Sequence, residues 1–256
     1  EEVKAWKEAR GYPLLTWTDE NKICQRELQL QGNTRTVLIK RVKESLRIDI
    51  LREKLMDGGC AIVILSTIRR AQEFAKEVRA QMPEAQIILL HSAFLMPDRA
   101  AREQELLQKL GKHSTKAERD HLIVIGTSVL EQSLDIDGDV MFTDLCPMDL
   151  LLQRLGRLHR HPVHDAMRPE QLKAAQCYVI EPDEDAFESG TSCIYGDYLL
   201  MRTRKRLPDT ITLPTDIPNL VQDCYGTWDP QFAGEEGNIY ENAEEKERKK
   251  IKSKSD

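Results

Sequence analysis

Eight residues, Gln153 to Arg160, have the residue types and spacing best suited to chemistry on a phosphate. On a helix, Gln153, Gly156, Arg157 and Arg160 would lie on one face. Gly156 would let that face approach another surface closely, because glycine has no side chain. Two guanidinium groups one turn apart suit a polyphosphate that gains charge at its transferring group, since their planar donors match phosphate oxygens. The alternative is a solvated, basic helix end.

A second segment, Gly126–Asp139, combines hydroxyl and carboxylate side chains after a predicted strand. The hydroxyls of Thr127 and Ser128, with nearby backbone N–H groups, can hold a nucleic-acid phosphate. The carboxylate of Asp135 can accept hydrogen bonds from a ribose hydroxyl. An ordinary loop with Asx turns explains the same residues, so this segment alone leaves both interpretations open.

Strands and helices are predicted to alternate along most of the chain, and they must position both segments. Apolar runs predict buried strands at 60–65, 86–90, 121–125, 139–143 and 176–180, with further strands at 14–18 and 36–42. Helical spacing of apolar residues predicts helices at 44–56, 68–81, 97–110, 148–158 and 195–207. This alternation indicates an α/β fold with a mostly parallel sheet and helices on both faces.

In such folds ligands gather at the carboxyl ends of the strands. The residues that follow the predicted strands are mostly small and polar, namely Ser66-Thr67, His91-Ser92, Thr127-Ser128 and Asp144. Side chains of this kind suit a surface that holds a nucleic-acid backbone.

The alternation weakens beyond residue 185. We expect residues 1–185 to form the sheet domain and 186–228 a helical extension. Residues 229–256 are rich in Glu and Lys, which predicts a charged linker, either disordered or in a solvated helix. The chain begins without a methionine, so we expect it to be part of a longer protein.

Composition limits the classes of function. The formal net charge of −6 excludes a uniformly basic nucleic-acid coat, so any such contact must be local. The six cysteines are scattered without a C-x-x-C pair, which argues against structural zinc and favours a reducing, cytoplasmic location. No run approaches the ~20 apolar residues of a membrane span, so no membrane partner is expected.

Taken together, the two segments resemble a known family. The stretch Val124–His161 is similar to motifs V and VI of superfamily-two helicases, and within them to the CRISPR-associated helicase–nuclease of type I systems. The matching residues are Val129–Asp137, Thr143–Leu145, Pro147, Asp149–Arg154 and Gly156–His161, with further matches at Tyr12–Leu14, Leu90–Ser92 and Leu213–Val221. The resemblance covers roughly residues 12–225 and implies a second RecA-like helicase lobe for residues 1–185.

The resemblance also implies roles at a nucleotide. Arg157 and Arg160 match arginine fingers that reach the γ-phosphate of ATP, and both with Gln153 and Asp135 would face the nucleotide. ATP and Mg²⁺ would be held mainly by a first lobe that this chain does not contain.

At the other ligand, single-stranded DNA, the resemblance implies backbone contacts. The residues matched to this role, or assigned to it by their hydroxyls, are Ser66, Thr67, His91, Ser92, Thr127, Ser128 and Gln132. Translocation would run 3′ to 5′. The implied partners are the first lobe and nuclease domain of the same protein and the CRISPR effector complex.

Several parts of the family are missing from this sequence. No P-loop is present, since Gly111-Lys112 is followed by His113 and lacks the preceding glycine. His164-Asp165 looks like a chance pair rather than a nuclease cluster, and His159 and His161 like hydrogen-bonding partners. No metal site is therefore expected in this chain, and it should not hydrolyse ATP alone. Ala93 stands where the family often has arginine, which removes one expected backbone contact.

Two other functions stay open on the sequence. One is a stand-alone RecA-like binding or docking module with vestigial motifs. The other is a different superfamily-two helicase that acts on DNA or RNA. The sequences Leu-Asp-Ile-Asp and Leu-Leu-Leu-Gln-Arg favour the CRISPR-associated motor over these two alternatives.

Overall fold

The computed structural model of the chain describes residues 6, 9, 11–29, 34–131, 134–183, 186–226 and 237–255. The first two strands, β1 (Leu14–Asp19) and β2 (Lys22–Glu27), form an antiparallel hairpin. Its turn residues Glu20 and Asn21 have positive φ angles of 43° and 66°, as two-residue hairpin loops require. The sequence does not predict β2, because its residues are mostly polar and charged.

The main sheet contains β3 (Arg35–Lys43), β4 (Cys60–Ile64), β5 (Gln86–Leu90), β6 (Leu122–Gly126), β7 (Val140–Asp144), β8 (Ala175–Glu181) and β9 (Thr210–Leu213). Within the described residues these seven strands lie in the order β5-β6-β4-β7-β8-β3-β9. All neighbours pair in parallel except β3 and β9, which are antiparallel. The predicted α/β class with a mostly parallel sheet is confirmed.

The helices are α1 (Arg47–Lys54), α2 (Ile68–Gln81), α3 (Met96–Leu110), α4 (Lys116–Arg119), α5 (Met148–Leu155), α6 (Ser189–Tyr195), α7 (Asp197–Arg206), α8 (Ile217–Tyr225) and α9 (Gly237–Ser255). The sequence does not predict α4, a single turn that begins with a capping box between Thr115 and Glu118. In the part of the chain that the structure describes, none of these helices has the length and apolar content to cross a membrane.

Helices cover both faces of the sheet, because alternate strand residues point to opposite sides. On one side, Val124 and Met141 pack in a core that includes residues of α3, α5, α7 and α8. On the other side, Ile123 and Phe142 pack against α1 and α2. The central strands β4, β6 and β7 are buried along their whole length, which explains why they appear as continuous apolar runs.

The segment after residue 186 adds to the same structure. Strand β9 joins the sheet, and Leu200 of α7 and Ile211 of β9 lie in the core. Helix α9, within the predicted charged segment, packs through Tyr240 against Met201 of α7. The domain boundary at residue 185 remains a prediction, and residues 229–236 lie outside the described residues.

Candidate functional site

The polar residues predicted to hold a strand lie together at the carboxyl edge of the sheet. Strands β5, β6 and β4 are neighbours, and their last residues pair with one another. The side chains that follow these three strand ends are Ser66, Thr67, His91, Ser92, Thr127 and Ser128. A Cβ on Gly126 would lie 2.4 Å from the Leu90 carbonyl oxygen, so this close packing requires glycine. The remaining predicted residue, Gln132, lies outside the described residues.

These side chains differ in their access to solvent. Ser92 and Ser128 are exposed, whereas Ser66, His91 and Thr127 are buried, with exposed fractions of 7%, 4% and 6%. The Ser66 hydroxyl has no hydrogen-bond partner within the described structure. A buried hydroxyl without a partner costs free energy unless a ligand or water forms a hydrogen bond with it. This edge is therefore suited to bind a polar ligand.

Thr67 and His91 also make contacts within the chain. Thr67 is the N-cap of α2, and its Oγ1 accepts a hydrogen bond from the Arg70 backbone N–H at 3.2 Å. The His91 ring stacks on Phe94 with centroids 4.3 Å apart, and its Nε2 lies 3.3 Å from Gln72 Nε2. Burial lowers the pKa of His91, which favours the neutral form of the ring. The contact of both residues with DNA stays a prediction.

Asp144, at the end of β7, organises the same edge. Its Oδ2 accepts hydrogen bonds from Ser66 N at 2.8 Å and Arg70 Nε at 2.9 Å, and its Oδ1 accepts one from Arg70 Nη2 at 2.8 Å. Arg70 also pairs with Glu44 at 2.9 Å. The sequence places Asp144 at the edge, but nothing in it indicates Arg70 as its partner.

The end of the octad Gln153–Arg160 lies toward the opposite edge. Leu158 bridges Gly138, and Arg160 N donates to Asp137, and both partners precede the start of β7 at Val140. The predicted helix to Leu158 is wrong in its last turn: α5 ends at Leu155 and Gly156 is its C-cap. Backbone bonds from Gly138 N to Arg157 O (2.8 Å) and from His159 N to Gly138 O (3.0 Å) replace further helical bonds. The arginines therefore lie on a turn rather than on one helical face.

Arg157 is half-buried beside the second arginine. Its Nη2 donates to the Glu131 carbonyl oxygen at 2.8 Å, and its Nε is buried with no partner in the described structure. Burial and then the neighbouring charge of Arg160 lower the pKa of Arg157, although an arginine stays charged at neutral pH. A charged group with an unused donor beside a second guanidinium is suited to receive an anion.

Arg160 is exposed and is held by two carboxylates. Its Nε donates to Asp135 Oδ1 at 2.6 Å, and its backbone N–H donates to Asp137 Oδ1 at 2.8 Å. Burial alone would raise the pKa of Asp135, but its hydrogen bond with Arg160 lowers it overall. The structure thus brings Asp135, Arg157 and Arg160 together, while Gln153 is exposed on α5. That these four residues face a nucleotide stays a prediction.

A buried ionic network supports the turn from beneath. Asp137 Oδ2 accepts hydrogen bonds from His164 Nδ1 at 2.6 Å and Arg168 Nη2 at 2.8 Å. Asp139 Oδ1 accepts one from Arg119 Nη2 at 2.6 Å and another from Arg168. His164, which the sequence suggests is part of a chance pair, therefore has a structural role. Across the described ranges, no three His, Cys, Asp or Glu side chains are grouped to hold a metal.

The two histidines flanking Arg160 make local contacts, as the sequence suggests. His159 Nε2 donates to the Asp139 carbonyl oxygen at 3.0 Å, and His161 Nε2 lies 3.2 Å from Asp135 Oδ1. Burial lowers the pKa of both rings.

Arg154 is the residue of the octad whose importance the sequence does not reveal. It is fully buried, and its Nε donates to Glu131 Oε1 at 2.8 Å. Its other nitrogens donate to the Asp144 carbonyl oxygen at 3.2 Å and to the Tyr195 hydroxyl at 3.0 Å. Arginine is rarely buried without partners, and these partners lie in distant parts of the sequence.

The segment from Gly126 to Asp139 connects the two edges of the sheet. It starts with Thr127 at the carboxyl edge, and its Glu131 contacts Arg157 through the backbone and Arg154 through the side chain. Farther along, Asp135 holds Arg160. An anion at the arginines and a polar ligand at the carboxyl edge would therefore act on the same segment.

Residues 57–163 match the family model described as CRISPR-associated nuclease/helicase Cas3, C-terminal. The CRISPR-associated nuclease/helicase Cas3 of Streptococcus thermophilus is 43% identical over 218 residues, which cover 85% of this chain. This chain belongs to the Cas3 family. It corresponds to the C-terminal, second helicase lobe, and it spans 23% of the length of the Streptococcus protein.

Solved Cas3 structures share this fold. The crystal structure of T. fusca Cas3 with AMPPNP matches 92% of this chain and 29% of its own, at 28% identity and a TM-score of 0.77. A chain of a CRISPR RNA-guided surveillance complex in a pre-nicking state matches 94% of this chain and 32% of its own, at 25% identity and a TM-score of 0.76. The second helicase lobe expected from the motifs is thus confirmed.

Proposed function

We propose that this chain is the second motor lobe of an ATP-dependent, 3′-to-5′ single-stranded DNA helicase coupled to a nuclease in type I CRISPR defence in the cytoplasm. Arg157 and Arg160 act as arginine fingers, with Gln153 and Asp135 beside them at the nucleotide. The first lobe holds most of the ATP and its Mg²⁺, since this chain has no P-loop. Binding of AMPPNP by the T. fusca relative supports the nucleotide part of this proposal.

The observation that carries the proposal is the connection between the two edges. The segment that begins with Thr127 at the proposed DNA edge also holds Arg157 and Arg160 through Glu131 and Asp135. Closure of the first lobe on ATP would pull on the arginines, and the same segment would then shift the polar groups at the strand. A motor needs such a link, whereas a passive docking module does not.

At the carboxyl edge the DNA contacts are proposed to be to the backbone. Small hydroxyls such as Ser92 and Ser128, together with backbone N–H groups, fit phosphate oxygens without regard to base sequence. The affinity for a single strand should fall as salt concentration rises. The nuclease domain and the first lobe would lie in the same polypeptide, and the pre-nicking relative supports a CRISPR effector complex as the partner.

The proposal predicts that this chain alone hydrolyses ATP no faster than buffer, because the phosphate cradle is missing. Mixing it with a polypeptide of the first lobe should restore ATP hydrolysis that single-stranded DNA stimulates. Phosphate release, measured with DNA and with RNA as activator, distinguishes this motor from an RNA-remodelling helicase. Substantial turnover by the chain alone, or no turnover in the mixture, would contradict the proposal, and the second result would favour a docking module.

A further inference from the structure

The turn that carries the two arginines borders open space on its outer side. Gly156, His159 and Arg160 line a cavity of about 700 Å³ together with Arg35 and Pro162. Carboxylates of the Gly126–Asp139 segment hold the turn from one side only. Beyond Leu155, where α5 ends, bonds from Arg157 N to the Arg154 carbonyl oxygen (2.8 Å) and from Leu158 N to the Leu155 carbonyl oxygen (3.1 Å) continue only as far as Leu158. The bonds of the Gly126–Asp139 segment leave the cavity side of His159 and Arg160 open to further contacts.

Arg35, the first residue of β3, supplies those contacts. Its Nη1 donates to the His159 carbonyl oxygen at 2.7 Å, and its Nη2 donates to the Leu155 carbonyl oxygen at 2.9 Å. One planar guanidinium thus joins the last residue of α5 to the residue just before Arg160. The bond at Leu155 also places a positive charge at the C-terminal end of a helix, where it is favourable.

The backbone at the joined site needs this support. His159 has a φ of 50°, a conformation that costs free energy in a residue other than glycine. The bond from Arg35 to the His159 carbonyl and the bond from His159 N to the Gly138 carbonyl hold this conformation from both sides. A guanidinium is rigid and offers two parallel donors, which a lysine does not.

We propose that Arg35 is a positioning residue for the arginine pair, fixing the turn so that Arg157 and Arg160 meet the transferring phosphate. This inference rests on the proposed motor function. Arg35 acts through the turn, because its two described bonds go to the backbone carbonyls of His159 and Leu155. Displacement of a catalytic group by about 1 Å can lower the rate by a factor of about 10². Loss of the two hydrogen bonds of Arg35 should therefore lower turnover rather than the binding of ATP or DNA.

The test uses the intact protein that contains this chain, with single-stranded DNA at saturation. Arg35→Ala should lower kcat for ATP about 10²-fold while KM for ATP and Kd for DNA stay at wild-type values. Arg35→Lys, which keeps the charge but has one donor nitrogen in place of two, should give an intermediate kcat. The matched control is Arg41→Ala on the same strand, because Arg41 Nη2 also donates to a backbone carbonyl, that of Arg204, at 2.7 Å, but away from the turn.

Two results would overturn the inference. In the first, Arg35→Ala keeps the wild-type kcat. In the second, kcat, DNA affinity and the thermal unfolding midpoint all fall together, which shows a merely structural residue. Arg157→Ala, measured in parallel, separates this inference from the proposed function. If Arg157→Ala keeps wild-type turnover, the motor proposal itself fails; if it loses turnover and Arg35→Ala does not, only the role of Arg35 is wrong.

Discussion

The guanidinium groups of Arg157 and Arg160 are held by different kinds of atoms. Arg157 donates to a neutral backbone carbonyl and keeps a buried Nε without a partner, whereas Arg160 donates to the carboxylate of Asp135. A phosphate must compete with that carboxylate for Arg160 but not for the free donor of Arg157. We therefore expect Arg160 to exchange partners when nucleotide binds, and Arg157 to add one.

The sequence alone indicates the arginine pair and the hydroxyls that follow the strands, because their residue types and spacing suit contacts with phosphate. It does not indicate Arg35 or Arg154, because the partners of both lie far along the chain: 120 residues separate Arg35 from Leu155, and 23 separate Arg154 from Glu131. It also misplaces the end of α5: Gly156 is the C-cap, and Leu158 instead forms a bridge with Gly138, a residue far away in the sequence.

His159 should make folding stability depend on pH. Burial, reinforced by the charge of Arg168, lowers the pKa of His159 in the folded state. The unfolded chain therefore takes up a proton near pH 6.5 that the folded chain resists, and the free energy of unfolding falls as the pH drops below about 7. His159→Asn, which tolerates the positive φ, should reduce this slope by at most about 1.4 kcal/mol per pH unit.

Urea unfolding of the chain at several values between about pH 5 and 7.5 measures the slope. His113→Asn is the matched control, because His113 is exposed. Equal slopes for His159→Asn and the unsubstituted chain would show that His159 has no part in the dependence.

At the level of elements, the connection between edges runs through α5 and the strand ends beside it. Arg154 on α5 contacts Glu131 in the segment after β6 and the carbonyl of Asp144 at the end of β7. The carboxylate of Asp144 then holds Ser66 after β4. The apolar runs predict these strands well, but this polar connection depends on how the strands are ordered, which the periodicity of the sequence does not contain.

Removing Arg154 should destabilise the chain strongly, because Glu131 would be left buried without its ionic partner. We expect Arg154→Met to lower the free energy of unfolding by about 3–5 kcal/mol, measured by urea unfolding. The double variant Glu131→Gln with Arg154→Met should recover a large part of that loss.

The control is the exposed pair of Arg52 and Asp49, joined at 2.8 Å on α1. Arg52→Met should cost less than about 1 kcal/mol, since surface ion pairs contribute little. A similar small cost for Arg154→Met would mean that the buried pair does not hold the segment in place.

At the scale of the whole molecule, the two edges of the sheet carry the two proposed sites, one for nucleotide and one for DNA. In the proposed motor, the arginines would complete a transition state, and the phosphate cradle would belong to a first lobe. The chain spans 23% of the length of the Streptococcus relative, so most of the proposed machine lies outside it. Because most of the strands run in the same direction, the two edges lie at opposite ends of the strands, where two ligands could be bound at once.

The measurement that tests the central claim most directly is DNA-stimulated ATP hydrolysis by the intact protein carrying Arg157→Ala or Arg160→Ala. Each variant should lose turnover by about 10³-fold or more while its Kd for single-stranded DNA stays unchanged, because the arginines act on the phosphate and not on the strand. Arg52→Ala, an exposed and ion-paired arginine on α1, should behave as wild type. Wild-type turnover in both octad variants would contradict the account.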